Sequence, residues 1–239
     1  MNENVINLPR VSEDGMPYIS YSQVSSFNNP QYFNQYILGY LFGIRDEGNV
    51  WSQFGSEVGE YLETGGKKVG KLLNDNDIEV LNEILKTLKP LKGKEFEKEI
   101  KLQRDGYRII GYIDLYYETK EKANVVDFKT LNTVKKKSFY ANNDPDSKDS
   151  YLQTILYSRA LEIEGKEIDN CGVFGIDRTF EGTFEEPILH LSGKAETIPT
   201  PYCKIKAEKF LEKVDKTVAA ISSLKTTFDN LELLTISVL

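Results

Sequence analysis

The spacing of apolar residues changes several times along this chain, and each change marks a different kind of element. Up to about residue 93 the spacing is helical. "YISYSQVSSF" opens as a short β-prone stretch, and Ser22 or Ser25 is the candidate cap of a helix through "PQYFNQYILGYL". In "WSQFGSEVGEYLETGGKKVGKLL" the residues Phe54, Val58, Tyr61 and Leu62 share a helix face, which Gly65 and Gly66 interrupt. "NDNDIEVLNEILKTLK" is amphipathic, begins on Asn/Asp caps and is closed by Pro90 and Gly93. From residue 94 the period falls to two. "EFEKEIKLQRDGYRIIGYIDLYYETKEKANVVDFKTL" reads as three strands, with a turn at Asp105-Gly106 and a polar loop around Lys120–Asn124. A polar segment, "KKKSFYANNDPDSKDS", has no periodicity and reads as a mobile loop. The helix "YLQTILYSRALEIEG", strands in "NCGVFGIDRTF" and "EEPILHLSG", and the long helix "IKAEKFLEKVDKTVAAISSL" complete the chain.

Helices, then a strand meander, then helix, strands and helix predict an α/β fold: a central mixed β-sheet flanked by helices. Residues 1–17 read as a polar arm turning at Asp14-Gly15. Residues 18–239 read as one domain, with a helical part (18–93), a sheet and helix (94–190) and a C-terminal helix (200–239). No apolar run reaches transmembrane length, and "MNENVINLPRVSEDG" lacks the order of a signal peptide, so a cytoplasmic protein is expected. Cys171 and Cys203 match no metal-ligand spacing, and His190 is the single histidine. Sites built from histidine or cysteine are thereby nearly excluded. The formal net charge of −7 argues against nucleic-acid binding, although "TVKKKSF" and the lysines at 204, 206, 209, 213 and 216 are locally basic.

The chemistry gathers in "GYIDLYYETKEKANVVDFKT", where each of two apolar strands carries an aspartate. A carboxylate in an apolar strand costs free energy unless a cation or a lysine pairs with it. Strand alternation puts Tyr112, Asp114 and Tyr116 on one face, and Val125, Asp127 and Lys129 on one face of the next strand. Pairing of these strands brings Asp114, Asp127 and Lys129 to one patch. Taken singly, each residue suits a buried Asp–Lys ion pair tying two strands together. Taken together, they suit Mg²⁺, which prefers hard oxygen ligands, with a lysine to polarise a phosphoryl oxygen. On the following helix Gln153 and Tyr157, four residues apart, lie along the edge of the apolar stripe; alone they suit the boundary of an amphipathic helix, and beside the patch they suit contact with a phosphate backbone or a base.

"GYID", "DFK" and "QTILY", in this order, resemble the signature of the RecB-like branch of the PD-(D/E)XK nuclease superfamily. "YISYSQVSSFNNPQYF" and "FGSEVGEYLE" also look like that family's N-terminal region and first core helix, so the resemblance covers roughly residues 18–180. It implies a restriction-endonuclease-like core and a Mg²⁺- or Mn²⁺-dependent deoxyribonuclease, an exonuclease of replication, recombination or repair such as phages carry. DNA is the implied substrate, and a helicase, recombination or replication protein the implied partner. It further implies Asp114 and Asp127 as metal ligands, the Phe128 carbonyl as another, Lys129 as the catalytic lysine, and Gln153 and Tyr157 as substrate-positioning residues. The chain departs from the family in two ways. Gly59 stands where many relatives have a histidine ligand, leaving Glu60, or less favourably Glu57, to supply an oxygen. Two cysteines cannot hold the iron–sulfur cluster of some relatives, so none is expected. A catalytically inactive nucleic-acid-binding or scaffold protein of the same fold is the competing expectation, and Gly59 and the acidic charge favour it.

Overall fold

In the computed structural model, residues 6–44, 48–132, 149–200 and 202–236 are described. The segment expected to be mobile falls largely on residues 133–148, outside the described residues. Six strands form one mixed sheet with the order β1-β3-β4-β5-β6, and β2 also pairs with β3. They are β1 (Tyr18–Ile19), β2 (Glu95–Arg104), β3 (Tyr107–Thr119), β4 (Lys122–Leu131), β5 (Ile168–Gly182) and β6 (Pro187–Thr200). The flanking helices are α1 (Tyr21–Asn28), α2 (Phe33–Tyr36), α3 (Val50–Glu63), α4 (Asp75–Leu88), α5 (Asp149–Ile163) and α6 (Lys204–Ile236). The expected α/β sheet with a long C-terminal helix is therefore present. Among the described residues, no helix is long and apolar enough to cross a membrane.

Local chemistry moved several expected boundaries. The β-prone N-terminal stretch pairs only through Tyr18 and Ile19, parallel to Arg108 and Ile109. Ser20, rather than Ser22 or Ser25, begins α1, and its N–H donates to Gln23 Oε1 at 3.0 Å. "PQYFNQYILGYL" is not one helix: α2 runs directly into a π-helical turn, Ile37–Leu41. Strand β6 continues past Gly193 to Thr200, because its register with β5 resumes at Ala195–Ile176.

The chain divides into two compact units. The first comprises Met1–Asp46, Glu99–Gly111 and Ile205–Leu239. Its N-terminal stretch is anchored rather than free, since Leu8 is buried and the Asn7 N–H donates to Ser222 Oγ at 2.8 Å. Asp215 of α6 accepts from Arg104 and from the Tyr107 hydroxyl at 2.6 Å. Burial opposes the charge on Asp215, but these donors outweigh it and hold its carboxyl below the usual aspartate value.

The second unit comprises Glu47–Lys98 and Tyr112–Lys204. Its main core sets Phe54, Val58 and Leu62 of α3 and Leu81 and Ile84 of α4 against Leu115, Val126, Phe128, Phe174 and Ile176 of the sheet. Alternation sends Val125, Asp127, Cys171 and Val173 to the opposite face, where Thr154 and Ser158 of α5 lie beside the buried Cys171 thiol. The start of α4 is fastened to β6. Asp77 accepts the Leu191 N–H at 2.7 Å, and the capping Asn74 meets His190 Nδ1 at 2.9 Å. His190 is thus a residue of β6 that fastens the start of α4.

Candidate active site

Strands β3 and β4 pair antiparallel from Thr119–Lys122 to Leu115–Val126. One residue further along lie the two aspartates. Asp114 Oδ2 accepts the Phe128 backbone N–H at 2.7 Å, so a side chain occupies a donor on the neighbouring strand. Strand β4 itself stays paired with β5 as far as Leu131–Asp177, which keeps Asp127 and Lys129 on a rigid element. Asp127 is 4% exposed, and Lys129 Nζ lies 2.6 Å from its Oδ2 in an ion pair. That oxygen has no hydrogen-bond partner of good geometry. The Asp127–Lys129 contact expected of a simple ion pair thus exists, but it leaves Asp127 under-coordinated.

Two glutamates complete the patch, and neither was expected from the sequence. Glu63 of α3, Glu97 of β2 and Asp114 each present a carboxylate oxygen, all within 4.8 Å of one another. Glu97 reaches this position from a left-handed backbone, φ 51°, inside β2. Such a conformation costs a glutamate roughly 1–3 kcal/mol and is held only where the surroundings over-determine it. Glu63 lies one helical turn beyond Gly59. A Cβ added at Gly59 would come 3.3 Å from Glu63 Oε1, so glycine leaves the space that the Glu63 carboxylate fills. Glycine at position 59 and the glutamate at 63 are one feature of the patch.

The electrostatics are those of crowded carboxylates, with Glu63 and Asp114 half-buried and Glu97 more exposed. Burial, then the charges of Glu97 and Glu60, pushes the Glu63 carboxyl up to about 7. Burial raises Glu97 as well. Asp114 rises well above the usual aspartate value through burial and the charge of Asp127, against the pull of Lys129 and the Phe128 N–H. Burial raises Asp127, with Lys129 opposing. Lys129 stays a cation because Asp127 and Asp114 outweigh its burial. The donors are all hard carboxylate oxygens, they repel one another, and one is under-coordinated: a set that fits a divalent cation such as Mg²⁺ or Mn²⁺.

Of the other expected site residues, Tyr157 is buried on α5, close enough to feel the charges of Asp127 and Asp114. Burial keeps its hydroxyl protonated well above the usual tyrosine range. Gln153 Nε2 lies 3.4 Å from that hydroxyl. Phe128 lines the same cavity as Asp114, its ring set against Phe96 and Phe174. Glu60 is not brought to the cluster: its Oε1 is 2.6 Å from Lys68 Nζ, and both side chains are exposed. It shares a helix with Glu63 but not the face that meets β3. Glu57 likewise turns away, accepting the N–H groups of Lys71 and Leu72.

A cavity of about 640 Å³ opens over the patch. Glu63, Asp114 and Lys129 line it, with Gly55 and Gly59 of α3 giving it depth and Trp51 and Arg178 forming part of its wall.

No protein-family model matches the chain, and no curated protein matches it in sequence. Solved structures do match. The fold is similar to the crystal structure of a candidate exonuclease from Eubacterium rectale, at a TM-score of 0.55 and 13% identity. That match covers 88% of this chain and 82% of the other. A second structure, of SSO0001, aligns over 88% of this chain and 79% of its own at 13% identity, with a TM-score of 0.43.

Proposed function

We propose that this protein is a Mg²⁺- or Mn²⁺-dependent deoxyribonuclease of the RecB-like PD-(D/E)XK type, hydrolysing phosphodiester bonds at the carboxylate patch. One observation carries the reading: Glu63, Glu97 and Asp114 converge from three separate elements, and Glu63 and Asp114 line one cavity with Lys129, the partner of Asp127. An exonuclease role agrees with the name given to the Eubacterium rectale protein of similar fold.

Asp114, Asp127, Glu63 and Glu97 would hold the cation, with the Phe128 carbonyl a further oxygen. When bound, the cation supplies Lewis acidity, acidifying water and drawing charge from the phosphoryl oxygens. Lys129 stabilises negative charge as water adds to phosphorus and the P–O bond to the departing sugar oxygen breaks. The proton lost by water leaves through solvent, and the departing oxygen takes one up. Tyr157, protonated throughout, and Gln153 donate to the substrate strand and fix its position. The buried Asp127 keeps Lys129 aimed at the reacting phosphate.

The competing reading, a nuclease-fold scaffold without catalysis, would draw on Gly59 in the place of a histidine. The Glu63 carboxylate, seated where Gly59 leaves room, offers an oxygen there and supports the catalytic reading instead.

Incubating end-labelled linear and closed circular DNA, single- and double-stranded, with Mg²⁺, Mn²⁺ or EDTA tests the reading. Cation-dependent cleavage is expected, reduced roughly 10²-fold by Glu63→Gln and unchanged by Glu60→Gln. Absence of cation-dependent cleavage on every substrate would overturn the nuclease assignment. Equal effects of the two substitutions would overturn the choice of Glu63.

A further inference from the structure

The cavity wall away from the carboxylates is aromatic and cationic. The Trp51 ring lies 5.1 Å from Phe180 and 5.4 Å from Phe184, tilted 32° against the latter. Phe180 is 48% exposed and Phe184 71% exposed, so Phe184 adds little to any core. Two exposed rings grouped on Trp51 beside a polar cavity form a contiguous apolar surface, the kind that marks a contact site.

Arg178 supplies the second observation. Its guanidinium lies over the Trp51 ring, 4.8 Å from the centroid. Its Nη1 donates to the Trp51 carbonyl at 3.3 Å and to Thr130 Oγ1 at 3.2 Å. Nε is buried with no hydrogen-bond partner, and burial is the one influence on the protonation of this cation, with no described carboxylate paired to it. A guanidinium always carries its charge, and this one stands in a cavity whose other charged lining is chiefly carboxylate. An anion delivered by a substrate would complete its bonding, and phosphate matches its planar fork.

We propose that Trp51, Phe180, Phe184 and Arg178 form a subsite for an unpaired nucleotide next to the scissile phosphate. The base stacks on the exposed phenyl and indole surface while Arg178 takes the adjoining phosphate. Stacking of this kind accepts any base, because every base has a π-face, but it requires a base not already covered by its neighbours in a duplex. The preferred substrate is therefore single-stranded DNA or a duplex with an unpaired end. This inference rests on the nuclease reading for its substrate, though not for its measurement.

Trp51 is the single tryptophan of the chain, so its fluorescence reports this subsite alone. The probe is oligothymidylate, titrated in Ca²⁺, a hard cation with the same ligand preference. Saturable quenching is expected, with much weaker quenching by an abasic strand of equal length. A tailed duplex should compete better than a blunt one. Phe184→Ala, at an exposed position that leaves the fold intact, should weaken binding roughly tenfold, the scale of one base–aromatic stack. Equal quenching by the abasic strand, or wild-type affinity in Phe184→Ala, would overturn the subsite. The two readings separate cleanly. Quenching without cleavage under any cation supports the subsite and defeats the nuclease, whereas cleavage without quenching does the reverse.

Discussion

Asp114→Asn is expected to lose DNA cleavage by roughly 10³-fold, about 4 kcal/mol of transition-state stabilisation, while the metal-free protein melts at a higher temperature. Asparagine is nearly isosteric and can still accept the Phe128 N–H that Asp114 Oδ2 accepts. The substitution therefore removes charge without removing the strand contact. In the metal-free protein that charge is a liability, since burial and Asp127 both disfavour it. An acid whose folded value lies above its unfolded one destabilises the fold once pH exceeds the unfolded value. It ceases to do so as pH falls through the folded value toward the unfolded one. Metal-free wild type should thus gain stability on mild acidification, and Asp114→Asn should gain less. Thermal melts in EDTA, paired with cleavage rates in Mg²⁺, measure both halves. Lost activity with an unchanged or lower melting temperature would mean that the carboxylates are not the strained, cation-seeking set described.

Lys129→Met is expected to lose a similar factor in rate, but with the opposite effect on stability. It strips Asp127 of its counter-ion, 2.6 Å away, and leaves a buried carboxylate that must take up a proton. Breaking a fully buried pair costs about 3–5 kcal/mol. The Lys129 side chain is 37% exposed, so solvent screening lowers the expected cost to about 1–3 kcal/mol. Combining Lys129→Met with Asp127→Asn removes the orphaned charge and should recover the melting temperature without recovering cleavage. Lys129→Arg should retain stability and lose rate, since a planar fork cannot present the same compact charge to a phosphoryl oxygen. If the double variant regained cleavage, Lys129 would be a structural partner of Asp127 alone.

How much of this was legible beforehand follows from the range over which each feature is encoded. Asp114, Asp127 and Lys129 stand within sixteen residues on two consecutive strands, so period-two alternation and a short turn suffice to place them near one another. Gln153 and Tyr157 share a helix edge by simple i,i+4 spacing. The cap at Asn74 and the Asp105-Gly106 turn were legible for the same reason: their chemistry is local.

Glu63 and Glu97 belong to another class. In the sequence Glu60 and Glu63 differ only in which side of α3 they occupy. Nothing local says that the Gly55–Gly59 side meets the end of β4. That Gly59 makes room for Glu63 becomes visible only in three dimensions, where a Cβ added at residue 59 would come 3.3 Å from Glu63 Oε1. Glu97 is harder still: alternation in "EFEKEI" puts it on an exposed face, where it lies, and nothing local shows that this face of β2 comes within reach of Glu63 and Asp114. The split of "PQYFNQYILGYL" at the π-helical turn was missed for a related reason. Its apolar spacing fits either helix type, and tertiary packing chooses between them.

Anomalous diffraction from crystals soaked in Mn²⁺ tests the central claim most directly, that these carboxylates are a cation site. One strong peak is expected roughly 2.1 Å from an oxygen of Asp114, shared with Asp127 and with Glu63 or Glu97, and absent in Asp114→Asn. A map with no peak at the patch, or a peak that survives Asp114→Asn unchanged, would contradict it.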